Sequence, residues 1–219
     1  MSFVKHVIFD LDGTLIDSVP GIAWSVDAAL RSCGLPAAGR ELTPLIGPPV
    51  RDILATVSGV TEPRILDRLE GSFRSSYDAG GWRGTVCQAG VRDMLWQLLT
   101  SGIDLWLVTN KPALATGKIL CELRLASFFR EVICRDSRTP AFASKAEMLI
   151  DFLKSTELDR AGCLLVGDTS EDWHSARAAG IRCAIVPHGY GAAELPGGCS
   201  RISGWRELQE LCAGERVNA

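Results

Sequence analysis

Asp10 and Asp12 are separated by one residue at the end of the apolar run Val7-Ile8-Phe9, and Gly13 and Thr14 follow them. Two carboxylates at this spacing can serve one hard cation, because Mg²⁺ takes oxygen ligands. Strand alternation sends both side chains the same way, and a turn at Gly13 can re-aim the second. A strand end followed by an Asp-Gly turn accounts for Asp12 and Gly13 without chemistry. It does not account for Asp10, a charge that ends a buried run. Three further apolar-run ends carry polar residues of complementary type. Val108 leads into Thr109-Asn110-Lys111, where a hydroxyl and the following amides can hold phosphate oxygens. The same residues before Pro112 read equally well as a helix N-cap. Lys145 opens a helical segment and, taken alone, reads as a solvated surface lysine. Val166 leads into Gly167-Asp168-Thr169-Ser170-Glu171-Asp172, a glycine turn with three acids in five residues. That too has a plain reading, an N-cap box with acids favoured by the helix dipole. Taken together, the four ends supply acids for a metal, donors for an anion and a carboxylate nucleophile. Those are the parts of phosphoryl transfer.

The elements that must position these residues are short. Val4–Phe9, Ile103–Val108, Cys163–Val166 and Arg182–Val186 read as buried parallel strands, with Glu131–Cys134 a weaker fifth. Helical pattern alternates with them at Val91–Thr100, Ala113–Leu123, Ser144–Lys154, Asp172–Ala179 and Trp205–Leu211, and Gly102 and Gly180 read as helix stops. Such alternation predicts a parallel sheet with helices on both faces. Ligands of open α/β sheets bind beyond the carboxyl ends of the strands, where all four polar clusters fall.

The interval between Phe9 and Val91 breaks the rhythm. It is helical in pattern, at Gly21–Arg31, Val50–Val57 and Pro63–Tyr77, and shows no convincing strand. A parallel crossover needs only about a dozen residues, so the excess predicts an inserted helical subdomain. The expected division is an α/β core at 1–16 and 85–219, a three-layer Rossmann-like sheet, and a helical cap at 17–84. The cap is expected to close over the site and exclude water.

The first motif, Asp10-Leu11-Asp12-Gly13-Thr14-Leu15-Ile16-Asp17-Ser18, resembles that of the haloacid-dehalogenase superfamily. Thr109, Lys145 and the Gly167–Asp172 cluster match its later motifs in order and spacing. The helical insert, Ile46-Gly47-Pro48-Pro49-Val50-Arg51 and Tyr77 resemble the phosphoglycolate-phosphatase-like branch with a helical cap. The resemblance implies a Mg²⁺-dependent phosphatase working through a phospho-aspartate. It implies Asp10 as nucleophile and metal ligand, and Asp12 as general acid then base, with its main-chain carbonyl on the metal. It implies Thr109, Asn110 and Lys145 on the transferring phosphate, Asp168 on Mg²⁺, and Asp172 beside the metal or Lys145. One departure is that Lys145 lacks the adjacent proline common in that branch; Lys118 and Lys111 are its rivals. Arg51 has two readings. It is solvated beyond a Gly-Pro-Pro helix start, or it binds the substrate's non-reacting end, where its planar fork suits a carboxylate or second phosphate.

The alternatives are a sugar-phosphate mutase of β-phosphoglucomutase type, which shares every core residue, and a non-catalytic module that holds phosphate on an aspartate. A dehalogenase has no need of Asp12. The chain has 219 residues, 47% apolar and 22% charged, with a net charge of −3 and no basic run. A nucleic-acid surface is therefore not expected, and no stretch approaches the roughly 20 apolar residues of a membrane span. The expected setting is the cytoplasm, the partner a small phosphorylated metabolite, and the state a monomer or homodimer. Eight cysteines without C-x-x-C spacing read as reduced, small hydrophobes. Three scattered histidines and six dispersed tryptophans suggest neither a histidine metal site nor a base-stacking platform. Gly189-Tyr190-Gly191 lacks a third glycine, and Pro196 interrupts the helix that a dinucleotide fingerprint needs; a loop at the rim of the site is expected there.

Overall fold

A computed structural model describes residues 3–39, 41–191, 197 and 199–214, so Pro196 lies outside the described residues. In chain order the elements are β1 (His6–Phe9), β2 (Ile16–Asp17), α1 (Val19–Ser32), α2 (Val50–Ser58), α3 (Pro63–Ala79), β3 (Val86–Cys87) and α4 (Val91–Thr100). They continue as β4 (Asp104–Thr109), α5 (Ala113–Glu122), β5 (Val132–Cys134), α6 (Lys145–Ser155), β6 (Cys163–Gly167), α7 (Ser170–Ala179), β7 (Arg182–Ile185) and α8 (Trp205–Ala213). The chain divides into two compact units, Met1–Ile16 with Cys87–Ala219, and Asp17–Val86.

In the first unit five parallel strands run in the order β5-β4-β1-β6-β7. β1 lies at the centre, with Phe9 opposite Leu107 of β4 on one side and Val166 of β6 on the other. The run Leu105-Trp106-Leu107-Val108 is buried throughout, as a strand covered on both faces must be. Ile8, Trp106, Val108 and Leu165 pack with Met148, Leu149 and Phe152 of α6 and Ala176 and Ala179 of α7. Alternation turns Val7, Phe9, Leu105 and Leu107 to the opposite face. α4 packs on β4 and α8 and buries Met94, Leu95 and Leu98. The result is the three-layer α/β sandwich. The strand order reverses direction at β1, which makes the carboxyl end of β1 the switch point where open sheets bind ligands.

The second unit is helical. α1 packs on α3, and it meets the turn Gly81–Gly84 beyond α3 through a glycine contact: a Cβ on Gly21 would lie 2.2 Å from the Gly81 carbonyl oxygen, and one on Gly81 2.2 Å from Ser25 Oγ. Phe73 and Tyr77 stack with ring centroids 5.4 Å apart. The interval expected to lack strands contains two, β2 and β3, which pair with each other. Each is two residues long, too short to show any alternation. Among the described residues no helix is long and apolar enough to cross a membrane.

Candidate active site

Asp10 is the first residue past β1, and its amide continues the ladder to the Val166 carbonyl at 2.9 Å. The chain then turns through Gly13, whose φ of +83° favours glycine, and the Gly13 amide donates to Ile16 O at 2.8 Å. Thr109 closes β4 and is buried. Gly167 closes β6, Asp168 follows, and Thr169 caps α7 in a reciprocal box with Asp172. Lys145 is the first residue of α6, behind the Ser144 cap, which accepts from the Glu147 amide. β1, β4, β6 and the starts of α6 and α7 thus bring Asp10, Thr109, Asp168, Lys145 and Asp172 to one end of the sheet.

Lys145 Nζ donates to Asp10 Oδ1 at 2.5 Å and to Asp172 Oδ1 at 2.6 Å. The other Asp172 oxygen accepts from the Asp168 amide, the Thr169 amide and Thr169 Oγ1 at 3.2, 3.0 and 2.8 Å. Both Asp172 oxygens are thereby engaged with donors. Asp168 accepts from Thr14 Oγ1 at 3.3 Å and from the Tyr190 amide at 2.8 Å. One oxygen each of Asp10, Asp168 and Asp172 lie within 4.8 Å of one another. Three glycines admit these carboxylates: an added Cβ would lie 2.3 Å from Asp168 Oδ2 at Gly13, 2.3 Å from Asp172 Cγ at Gly167 and 2.0 Å from Asp168 Cβ at Gly189.

The electrostatics follow from burial. Three acids share one lysine away from water. Burial lifts Asp10 well above the ordinary carboxylate range, against the pull of Lys145. Burial and the neighbouring Asp172 push Asp168 up to about 7. Burial also opposes the charge on Asp172, but Lys145 and the Thr169 donors outweigh it and bring Asp172 below its usual value. Burial disfavours the Lys145 ammonium, yet Asp10 and Asp172 raise its pKa. The Lys145–Asp172 pair is charged, and Asp10 and Asp168 then compete for the remaining balance. A divalent cation ligated by carboxylate oxygens relieves that competition, so the donor set fits a hard metal ion.

The second predicted acid has a different lysine. Lys111 Nζ reaches Asp12 Oδ1 at 2.8 Å and Oδ2 at 3.1 Å, and the Lys111 amide donates to Thr109 Oγ1 at 3.1 Å. Asn110 Nδ2 donates to Glu171 at 2.9 Å, while Asn110 Oδ1 is buried with no hydrogen-bond partner among the described residues. Arg51 belongs to the helical unit, where its guanidinium reaches Asp67 at 2.7 Å, Glu70 at 3.2 Å and the Pro63 carbonyl at 3.2 Å. All eight cysteines are free thiols, and burial pushes Cys134 and Cys163 up to about 11, away from reactivity.

Sequence reasoning assigned no partner to three participants, although it expected the Gly189-Tyr190-Gly191 loop at the rim of the site. Lys111 was weighed only as a rival for the phosphate lysine. Tyr190 supplies an amide to Asp168, and His188 Nε2 donates to Thr14 O at 3.0 Å. A glycine on each side of Tyr190 was the available signal for the second; nothing local marks the third, which is 174 positions from its acceptor.

A family model described as haloacid dehalogenase-like hydrolase matches residues 7–186. A phosphoglycolate phosphatase of Pseudomonas savastanoi pv. phaseolicola is 37% identical over 194 residues, covering 85% of this chain and 70% of that one. A solved structure of a predicted phosphatase from Clostridium acetobutylicum superposes with a TM-score of 0.86 at 22% identity, over 97% of this chain and 100% of the other, and speaks to the fold. The protein tyrosine kinase A of Mycobacterium tuberculosis superposes with a TM-score of 0.83 at 29% identity, over 97% and 99%.

Proposed function

Because this chain belongs to the haloacid dehalogenase-like hydrolases, and is a phosphatase among them, we propose that it hydrolyses a small phosphate monoester through a phospho-aspartate on Asp10, with Mg²⁺ as cofactor. The observation that carries the reading is Lys145, buried and shared between Asp10 and Asp172 within the acid cluster. A carboxylate is a weak nucleophile towards an anionic phosphate until that charge is neutralised. Asp10 and Asp168, with the main-chain carbonyl of Asp12, would hold the metal, which supplies charge neutralisation at the phosphate when bound. Asp172 keeps Lys145 oriented, with one oxygen on its ammonium and the other on the donors of the α7 cap. Lys145 and Thr109 hold the transferring phosphate. Asp10 attacks phosphorus as the ester bond breaks, Asp12 protonates the departing oxygen, and Asp12 then takes a proton from the water that cleaves the acyl phosphate.

The relatives named phosphoglycolate phosphatase point to phosphoglycolate as the first candidate substrate, with a sugar phosphate as the alternative to test. The test is a panel of phosphorylated metabolites assayed with Mg²⁺ and with EDTA, scoring both free phosphate and isomerised product. Metal-dependent phosphate release is expected. Phosphate returned to another hydroxyl, with none released, would instead establish the mutase.

Metal binding can be read without turnover. Free of metal, the folded protein keeps a proton on Asp168 up to about pH 7, while the unfolded chain gives it up near its ordinary value of 3.8. The folded state then holds more protons, so metal-free stability falls as pH rises through that window. Mg²⁺ binds the ionised acids and is expected to raise Tm more at pH 7.5 than at pH 5.5. At a hundredfold excess over Kd the gain is about 2.7 kcal/mol, or roughly 5–10 °C for a chain of this size. An equal Mg²⁺ shift at both pH values in a thermal melt would remove Asp168 from the metal site.

A further inference from the structure

Lys145 Nζ sits between Asp10 Oδ1 at 2.5 Å and Asp172 Oδ1 at 2.6 Å. Its backbone is the first residue of α6, and helix ends are the parts that open most readily. Ser144 and Ala146 flank it, so no proline ring fixes the chain there. The start of α6 is held from outside the helix, by residues 135–143 between β5 and α6. The Phe142 amide donates to the Arg135 carbonyl at 3.0 Å, and Arg135 Nη2 donates to the Ala143 carbonyl at 2.9 Å. The segment therefore closes on itself. Glu147, in the first turn of α6, ties it to the helix. Its amide donates to Ser144 Oγ at 3.2 Å, and its Oε2 accepts from the Ala143 amide at 2.6 Å. Arg138 then grips Glu147. The guanidinium pairs with Glu147 Oε1, reaches Asp151 Oδ1 one turn on at 3.8 Å, and lies over the Phe142 ring with Cζ 4.1 Å from its centroid. Phe142 is itself packed in the core with Met148 and Leu149. One side chain thus spans the connecting segment and the first two turns of α6.

On the phosphatase reading, from which this inference proceeds, we propose that Arg138 is a positioning residue for the reaction: by clamping Glu147 to the 135–143 segment it fixes the first turn of α6, and with it the Lys145 ammonium. Arg138 acts through Lys145 and not on the substrate. The side chains of Arg138 and Glu147 are 37% and 39% exposed, so solvent screens the pair and it adds little to global stability. Its effect on rate is larger than its effect on folding. Without the clamp the first turn opens, while Met148, Leu149 and Phe152 keep the body of α6 packed. A displacement of about 1 Å at a charge that neutralises the transferring phosphate can cost up to ~10²-fold in rate.

The test reads turnover of p-nitrophenyl phosphate with Mg²⁺, and calorimetric affinity for orthovanadate, a phosphate-shaped anion, with Mg²⁺. In Arg138→Gln kcat is expected to fall about tenfold, while Tm stays within about 4 °C of wild type. Amide hydrogen exchange should quicken at Glu147 and Met148 and hold at Phe152 and Leu153. Arg138→Lys keeps a charge for Glu147 without the planar stack on Phe142, and should lie between Arg138→Gln and wild type. Vanadate affinity should fall in Arg138→Gln, yet fall no further when that change is added to Lys145→Met. Losses that multiply in the double variant would mean that Arg138 acts independently of Lys145, and would overturn the proposal. So would an unchanged kcat in Arg138→Gln, or exchange that quickens uniformly along α6, which marks a general loss of packing. Should Arg138→Gln not fold, Glu147→Gln decides. It keeps an acceptor for the Ala143 amide and removes the charge that Arg138 holds, and an unchanged kcat there is fatal. If Lys145→Met loses turnover and vanadate affinity but Arg138→Gln loses neither, this inference fails and the phosphatase reading stands. If the wild type hydrolyses no monoester with Mg²⁺, the phosphatase reading itself fails.

Discussion

Asp10→Asn is expected to abolish phosphate release while leaving the fold intact. The substitution is nearly isosteric at a position only 5% exposed, and Lys145 keeps its bond to Asp172 at 2.6 Å. What disappears is the oxygen nucleophile. An amide forms no acyl phosphate, so turnover should drop by on the order of 10⁴–10⁶, the scale seen when a covalent nucleophile is removed. Stability should move little or rise above neutral pH. Burial, Asp172 and Asp168 all raise the Asp10 pKa, so ionising Asp10 in the folded, metal-free protein carries a penalty that the neutral amide avoids. The informative result is therefore a pair: activity lost, Tm held. Acid-quenched wild type mixed with substrate should carry one phosphoryl group by mass, and Asp10→Asn none. Turnover within tenfold of wild type would end the phospho-aspartate mechanism.

The parallel strands were legible because each is covered on both faces and so is apolar throughout, as Leu105-Trp106-Leu107-Val108 is. The end of α4 was legible from Gly102, which turns with φ +79°. The acids of the site stood out because a charge ending a buried strand has few structural uses. Partners were another matter. Whether Lys111 faces solvent, Asp10 or Asp12 depends on the backbone direction of a three-residue turn, which spacing does not encode. The pairing of Asp168 with Thr14 joins positions 154 apart, and that of Asp168 with the Tyr190 amide joins positions 22 apart. Such contacts arise only once the strand order is set. The plain and the chemical readings of the Thr169–Asp172 segment are not exclusive either. Asp172 completes the capping box with one oxygen and holds Lys145 with the other, so one side chain both starts a helix and orients a phosphate-binding lysine.

Lys145→Met should be the most damaging change in the α/β unit, on stability and activity together. The side chain is 4% exposed and lies between Asp10 and Asp172. Methionine fills a similar volume but leaves three buried acids with no cation among them. Removing one partner of a buried ion pair typically costs about 3–5 kcal/mol, or roughly 6–20 °C in Tm for a chain of this length. The pH dependence separates this cause from loss of packing. Without the ammonium, burial raises the folded-state pKa of Asp172 above its unfolded value, and that of Asp10, already raised, climbs further. The folded variant then holds more protons than the unfolded chain as pH climbs from about 4, and its stability falls over that range. The Tm deficit against wild type should be larger at pH 8 than at pH 5, whereas a packing defect gives the same deficit at both. Turnover should fall by on the order of 10²–10³ or more, the usual loss when one preorganised charge partner of a transferring group is removed. Arginine should not restore it, because the guanidinium fork cannot occupy the compact position between two carboxylates that an ammonium fills. A Lys145→Met protein that melts like wild type at pH 8 and keeps its kcat would show that another cation neutralises the phosphate.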